Sequence, residues 1–493
     1  MSAISTSRSE ALYRALPPDP TDDDNRLSRD VDRSSIESDH PPPESPLDRR
    51  IQCVYFMLGC AALLPWNAMI TATPFFISRL TGSPLRATFS SYLSSSFTGC
   101  MLLFVARATA TSKQTSPSRR FFISTVSLTV LVALLFLSTF TRVPPALFFS
   151  FVIINGICQA GGAAFLSTAV YAGASLFGAP YMQALMAGQA AVAVAVSGVQ
   201  VLSSAASVWG TTPGSIATLI ADGNTGNGAA EESSARIFFG ISTVFLIATI
   251  MAYGWLTTLP AYKNKVGVLE RQIKALSFSD SDEERRALVS TGLTPDPPNG
   301  RMQLWRVFKA NIIYEFAACY GFAVTLAVFP PITVSILSTN PNMHPLLFSA
   351  VHFLVFNLGD FAGRYICSFP QLIVWSARRV LTTSLLRTFF IPIFLICNVQ
   401  RPSATVPTTP IIGSDLLYML ILATFGLTNG YVSTLCMLGA PSLEHNPRLK
   451  GRREDVDVAA TLASFSIIVG LAVGSFSSFA VRAAICDCNP FRH

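Results

Sequence analysis

Eleven apolar runs occupy the sequence between residues 52 and 483, each long enough to cross a bilayer at about 20 residues per span. Their limits are 52–77, 88–107, 120–141, 146–173, 180–206, 236–260, 309–336, 346–368, 377–398, 412–437 and 457–483. Residues 143–221 contain no Asp, Glu, Lys or Arg, so the fourth and fifth runs are separated only at Gly178-Ala179-Pro180, the best local breaker. A long polar stretch divides the set into six plus five. The pattern predicts an all-α polytopic membrane protein. Helices 1–6 fall in 51–262, a central loop in 263–306, helices 7–11 in 307–485 and a short C-terminal end in 486–493.

Residues 1–50 stand apart, with seven Lys/Arg, eleven Asp/Glu, the run Pro41-Pro42-Pro43 and many serines. This is the composition of a disordered tail. It lacks the apolar core of a signal peptide, so the first span is expected to direct insertion. Tyr13-Arg14-Ala15-Leu16 fits a tyrosine-based sorting pattern, one short enough to arise by chance. Over the whole chain 51% of residues are hydrophobic and 13% charged, against about 25% charged in soluble domains. Such a chain cannot cover several soluble domains with polar surface. A soluble enzyme, a nucleic-acid-binding module and a disulfide scaffold are thereby excluded.

Charge sets the expected orientation. With the N-terminus cytosolic, the inside loops hold nineteen Lys/Arg: Arg107, Lys113, Arg119 and Arg120, nine from Lys263 to Lys309, Arg378 and Arg379, and Arg448, Lys450, Arg452 and Arg453. The outside loops and the C-terminal end hold seven. This bias places the N-terminus in the cytosol and the C-terminus on the luminal or extracellular side. In the central loop, Ser279-Asp280-Ser281-Asp282-Glu283-Glu284 suits an acid-directed kinase acting on Ser279 or Ser281, although a solvated charge run explains it as well.

Two acids lie at membrane depth, Glu315 and Asp360, and two basic residues, Arg364 and Arg387. A charge at mid-bilayer costs about 2.5–3.5 kcal/mol on the insertion scale. Asn357, Asp360 and Arg364 are spaced i, i+3, i+7 and share one helical face, where Asp360 and Arg364 can pair. The pair can lock helices together or bind a polar ligand in a cavity, and both can hold. Arg387 has no acid near it in sequence. Trp66 follows Pro65 in mid-span and precedes Asn67, combining a flat apolar ring with an amide. Ser167, Thr168 and Gln189 add hydrogen-bonding groups to the uncharged spans. Glycines and alanines crowd residues 156–207 and permit close helix approach. The five histidines are scattered, and neither a phosphate-binding loop nor a His-Glu-x-x-His motif occurs. Neither metal nor cofactor is expected, and no enzymatic activity.

The motifs, in this order, resemble those of the equilibrative nucleoside transporter family. The matching blocks are Leu64-Pro65-Trp66-Asn67 with Thr71-Ala72; Tyr181, Met186, Gly188 and Gln189; Phe329-Pro330; Phe356-Asn357, Asp360 and Gly363-Arg364; Thr428-Asn429-Gly430-Tyr431; and Gly470-Leu471-Ala472 with Gly474-Ser475. The resemblance implies a fold similar to the major facilitator superfamily lacking its last helix. It implies alternating access of purine and pyrimidine nucleosides down their gradient, sometimes with a proton, at the plasma membrane or a vacuolar or lysosomal one. By the same resemblance, Asp360 and Arg364 would meet the ribose hydroxyls and base edge, and Trp66 would cover the nucleoside. Phe329, Phe353 and Asn357 would line the cavity. Ser167, beside Thr168, stands where many members carry a base-contacting glutamine, with Gln159 two turns away. Ser96 and Thr98 are the candidates on the second span. Asp360 and Glu315 are the groups open to proton coupling. The competing readings are a carrier of another polar solute, such as a nucleobase or sugar, and a non-transporting receptor.

Overall fold

The computed structural model describes residues 48–86, 89–208, 229–271, 273, 300–330, 332–340, 343–399 and 410–486. The sorting pattern at Tyr13 and the serines Ser279 and Ser281 lie outside these. The helices in chain order are α1 (Arg49–Thr71), α2 (Thr73–Arg79), α3 (Phe89–Ala110), α4 (Pro117–Ser138), α5 (Pro145–Phe177), α6 (Ala179–Val208) and α7 (Ala229–Thr258). After them come α8 (Gly300–Val328), α9 (Pro345–Ile366), α10 (Ala377–Leu386), α11 (Phe390–Leu395), α12 (Asp415–Gly439) and α13 (Val456–Cys486). Among the described residues, ten of these are long and apolar enough to cross a membrane.

The ninth apolar run is the exception. It forms α10, a 3₁₀ turn over Arg387–Phe389, and α11, of ten, three and six residues. At 1.5 Å per residue this still reaches about 28 Å. The interruption has a local cause: Pro392 has no N–H to give the carbonyl of Thr388, four residues back. The first run also divides. Pro74 sits in the first turn of α2, and α1 stops at Thr71, whose hydroxyl turns back to the Asn67 carbonyl at 2.8 Å. Between α5 and α6 the chain breaks at Gly178, whose φ of 111° suits a residue without Cβ.

Large apolar side chains face outward along the spans, among them Leu103, Leu147, Leu202, Val244 and Phe476. A belt of this kind is stable against lipid and not against water. Polar contacts collect at the helix ends instead. Lys113 donates to Asp457 at 2.8 Å, tying the α3–α4 loop to the start of α13, where Arg306 of α8 also holds Asp455. At the opposite end of α12, Asp415 accepts from Ser338 and Thr339. Residues 260–271 continue as a helix whose Glu270 accepts from the Ser118 amide at 3.0 Å, at the positive N-terminus of α4.

The closest packing is backbone against backbone. Gly359 and Gly363 of α9 face Gly426 and Gly430 of α12, two Gly-x-x-x-Gly pairs in mutual register. A Cβ on Gly359 or Gly363 would strike the carbonyl of Ala423 or Leu427. One on Gly426 or Gly430 would strike that of Phe356 or Asp360. In lipid, where apolar burial no longer drives helix association, such contact supplies the dispersion energy that holds helices together. Gly59 of α1 and Gly188 of α6 interlock in the same way. Gly430→Ala is therefore expected to destabilise by about 1–3 kcal/mol through overpacking. Gly198→Ala, at a helical position with open space around it, should leave stability unchanged or raise it. Thermal unfolding of the two purified variants in detergent checks the contrast.

Candidate substrate-binding site

The helical spacing of Asn357, Asp360 and Arg364 on α9 puts all three toward neighbouring helices. Arg364 Nε donates to Asp360 Oδ2 at 2.8 Å, with both side chains below a tenth exposed. The second carboxylate oxygen, Oδ1, accepts from Asn429 Nδ2 of α12 at 2.6 Å. Both oxygens thus have a donor, as a carboxylate removed from water requires. The glycine seam makes this possible, because Asn429 directly precedes Gly430, whose missing side chain brings α12 onto the backbone at Asp360.

On its other side Arg364 reaches α6. Its Nη1 donates to the Met186 carbonyl at 3.1 Å and to Gln189 Oε1 at 3.3 Å. Gln183 Nε2 of α6 donates to the Arg364 carbonyl at 3.3 Å, and Asn357 Nδ2 donates to the Ala193 carbonyl at 3.3 Å. Two of the three α9 positions, Asn357 and Arg364, therefore bond to α6 about two turns apart, while Asp360 bonds to Arg364 and to α12. Gln189 Nε2 donates to Tyr171 of α5 at 2.8 Å. The result is one buried polar chain, Tyr171–Gln189–Arg364–Asp360–Asn429, running across α5, α6, α9 and α12. The helices α1–α7 and α8–α13 meet in it.

The remaining sequence candidates fall into separate places. Phe329, just past the end of α8, stacks on Phe356 at 4.0 Å between ring centroids and meets Phe353 edge-on at 5.2 Å. These rings extend the α9 face one turn before Asp360. Trp66, half-buried on α1, stacks on Phe97 of α3 at 4.0 Å. Asn67 beside it donates to the Leu63 carbonyl of its own helix. Ser167 and Thr168 are buried on α5. Ser167 lies one turn before Tyr171 and on its face, while Thr168 donates to the Phe165 carbonyl of its own helix. Gln159 donates to Asn155 at 2.6 Å, and Ser96 to the Leu93 carbonyl of its own helix. Glu315 is buried on α8. Its Oε2 accepts from Ser466 of α13 at 2.6 Å, and its Oε1 has no partner among the described residues.

Gln189 and Asn429 stand in the matching sequence blocks, but their bonds to Arg364 and Asp360 could not be read from spacing, since the partners lie on other helices, and Tyr171 carried no sequence signal. The available signal for the crossing at Asp360 was the Gly-x-x-x-Gly pair on each of α9 and α12.

Membrane-length helices organised around a desolvated ion pair where the two halves of the bundle meet are the architecture of a polytopic membrane protein. The fold is similar to that of FucP, the E. coli fucose:proton symporter of the Major Facilitator Superfamily. That similarity covers 89% of this chain and 92% of FucP, at a TM-score of 0.50 and 12% identity. The family described as "Nucleoside transporter" matches residues 151–483, and the chain belongs to it. Equilibrative nucleoside transporter 1 of Rattus norvegicus is 26% identical over 489 residues, covering 89% of this chain and 99% of that protein. Nucleoside transporter FUN26 of Saccharomyces cerevisiae is 25% identical over 479 residues, covering 92% and 88%.

The geometry predicts an asymmetry in stability. Asp360→Ala leaves Arg364 buried without its counter-charge and should cost about 3–5 kcal/mol. Changing both residues, Asp360→Leu with Arg364→Met, should recover most of that loss, because no uncompensated charge remains. Thermal unfolding in detergent reads both. Equal loss in the single and double variants would contradict the charge argument.

Proposed function

We propose that this protein carries purine and pyrimidine nucleosides across a membrane by alternating access, with Asp360 and Arg364 as the centre of substrate recognition. The carrying observation is that Arg364 belongs to two contacts at once, the carboxylate on its own helix and the acceptors Met186 and Gln189 on α6. A ribose 2′,3′-diol both donates and accepts. Its hydroxyls can donate to the Asp360 carboxylate and accept from the guanidinium in place of Met186 and Gln189. Substrate would then replace bonds that tie α9 to α6, and so couple occupancy to the contact between the two halves. The rings of Phe329 and Phe353 and the Asn357 amide extend this face. Trp66 covers the nucleoside from α1, and Ser167 and Thr168 stand toward the base from α5.

In this reading the N-terminus is cytosolic and the C-terminus luminal or extracellular, on the basic-residue bias of the loops. The membrane is the plasma membrane or a vacuolar or lysosomal one. Residues 1–50 form the cytosolic tail and 263–306 the cytosolic loop, where Ser279 and Ser281 suit an acid-directed kinase. Transport is facilitated rather than driven. Both oxygens of Asp360 are engaged by donors, and one helical turn keeps Arg364 within its reach. Glu315, with an oxygen left unpartnered, is the second group able to carry a proton.

Two measurements test this. Uptake of labelled uridine and adenosine by proteoliposomes should be abolished by Asp360→Asn and by Arg364→Ala while the protein remains in the membrane. Wild-type uptake in either variant overturns the assignment, and binding without uptake by the wild type favours a receptor. An imposed inward proton gradient should leave internal nucleoside no higher than external. Accumulation driven by that gradient, and lost in Asp360→Asn or Glu315→Gln, would replace facilitated transport with proton coupling.

A further inference from the structure

Arg387 lies in the 3₁₀ turn between α10 and α11 and is 1% exposed, a full charge inside the bundle. Its partners are all neutral. Nη1 donates to the Phe425 carbonyl at 3.0 Å and to Thr428 Oγ1 at 2.6 Å. Nη2 donates to Thr325 Oγ1 at 2.7 Å and, more weakly, to Asn429 Oδ1 at 3.4 Å. Among the described residues its Nε finds no acceptor, and the guanidinium carbon stands 4.6 Å from the Phe425 ring centroid. A buried cation held only by neutral groups is expensive in a membrane protein and calls for a role.

That role is visible in the next bond. Asn429 Oδ1 faces Arg387 and lies 2.8 Å from the Thr325 hydroxyl, whose single hydrogen it shares with the Gly321 carbonyl at 2.7 Å, and it belongs to the same amide whose Nδ2 donates to Asp360. A side-chain amide can be turned end for end at little intrinsic cost, and its neighbours decide which way it points. Here they leave no choice. The Asp360 carboxylate only accepts, and the Arg387 guanidinium only donates. Turning the amide over would set its NH₂ against a cation and its oxygen against a carboxylate. We propose that Arg387 is a positioning residue: with Thr325 it fixes the Asn429 amide, and so presents the Asp360 carboxylate for the nucleoside in one defined orientation. Asp360 thereby lies between two arginines, Arg364 in direct contact and Arg387 through one amide. Lysine would not replace it, since a single ammonium cannot span Thr325, Thr428 and the Phe425 carbonyl as the planar fork does.

The inference rests on the proposed role of Asp360, and the experiment separates the two. Uptake KM, maximal rate per carrier in the membrane, and thermal stability are measured for Arg387→Gln, Arg387→Lys, Asn429→Ala, the Arg387→Gln/Asn429→Ala double variant and Asp360→Asn. Arg387→Gln should raise KM by about threefold to tenfold, because its contact to the Asn429 amide is long and reaches the site only through that amide. Arg387→Lys should fail to restore it. Because Arg387 acts through Asn429, the double variant should have the KM of Asn429→Ala alone. Unchanged KM in Arg387→Gln, even with lowered stability, overturns the proposal, as do KM effects that multiply in the double variant. If the Arg387 variants do not reach the membrane, Thr325→Val removes the shorter anchor of the amide. A raised KM that does not multiply with Asn429→Ala is expected there, and an unchanged KM overturns the proposal. Wild-type KM in Asp360→Asn would instead overturn the parent assignment. Loss of uptake in Asp360→Asn beside a normal Arg387→Gln would overturn the positioning role alone.

Discussion

A carboxylate and a guanidinium inside a lipid-embedded bundle have no water to fall back on, and much of this molecule is arranged to satisfy that one pair. Asp360 needs a donor for each oxygen, and Arg364 needs acceptors for the nitrogens that Asp360 leaves free. Four helices supply them: α9 its own residues, α12 Asn429, α6 Met186 and Gln189, and α5 the Tyr171 hydroxyl behind Gln189. Each partner is polar and buried, so a shift in any one of them exposes a group that costs about 1–3 kcal/mol unpaired.

The glycines make such an arrangement affordable. A hydrogen bond of 2.6 Å between helices through side chains as short as Asp360 and Asn429 requires the two backbones to touch. Backbones touch only where Cβ atoms are missing from both helices, as at Gly359, Gly363, Gly426 and Gly430. The same small residues that pack the bundle therefore set the geometry of its charged centre. The proline-interrupted ninth segment adds to this, because the 3₁₀ turn before Pro392 carries Arg387 against Thr325, Thr428 and Asn429.

A carrier needs a contact between its halves that a small solute can replace. In the proposed reading the bonds from Arg364 to a carbonyl and an amide oxygen of α6 are of that kind. They are modest one by one, directional, and chemically equivalent to bonds a sugar hydroxyl could make. In the proposed reading the aromatic cluster of Phe353 and Phe356, one to two turns before Asp360 on α9, with Phe329 packed on it, continues this face on the apolar side.

The linear pattern of apolar runs was sufficient for the helical class, since a bilayer demands about 20 apolar residues wherever a helix crosses it; of the eleven runs, ten stand as single membrane-length helices among the described residues. It was also sufficient for Asn357, Asp360 and Arg364, because residues three, four and seven apart on one helix must share a face. The partners of that triad are a different matter. Gln189 and Asn429 are 175 and 69 residues distant from the groups they bond, and no local period relates them. Arg387 looked isolated in the sequence because its route to Asp360 passes through an amide on another helix. The turning of the Asn429 amide and the contact of α9 with both α6 and α12 were decided by tertiary packing, whereas the break in the ninth run has its local cause in Pro392. Hydrogen-bond satisfaction inside a bundle is a property of several helices at once, and no single stretch of chain contains it.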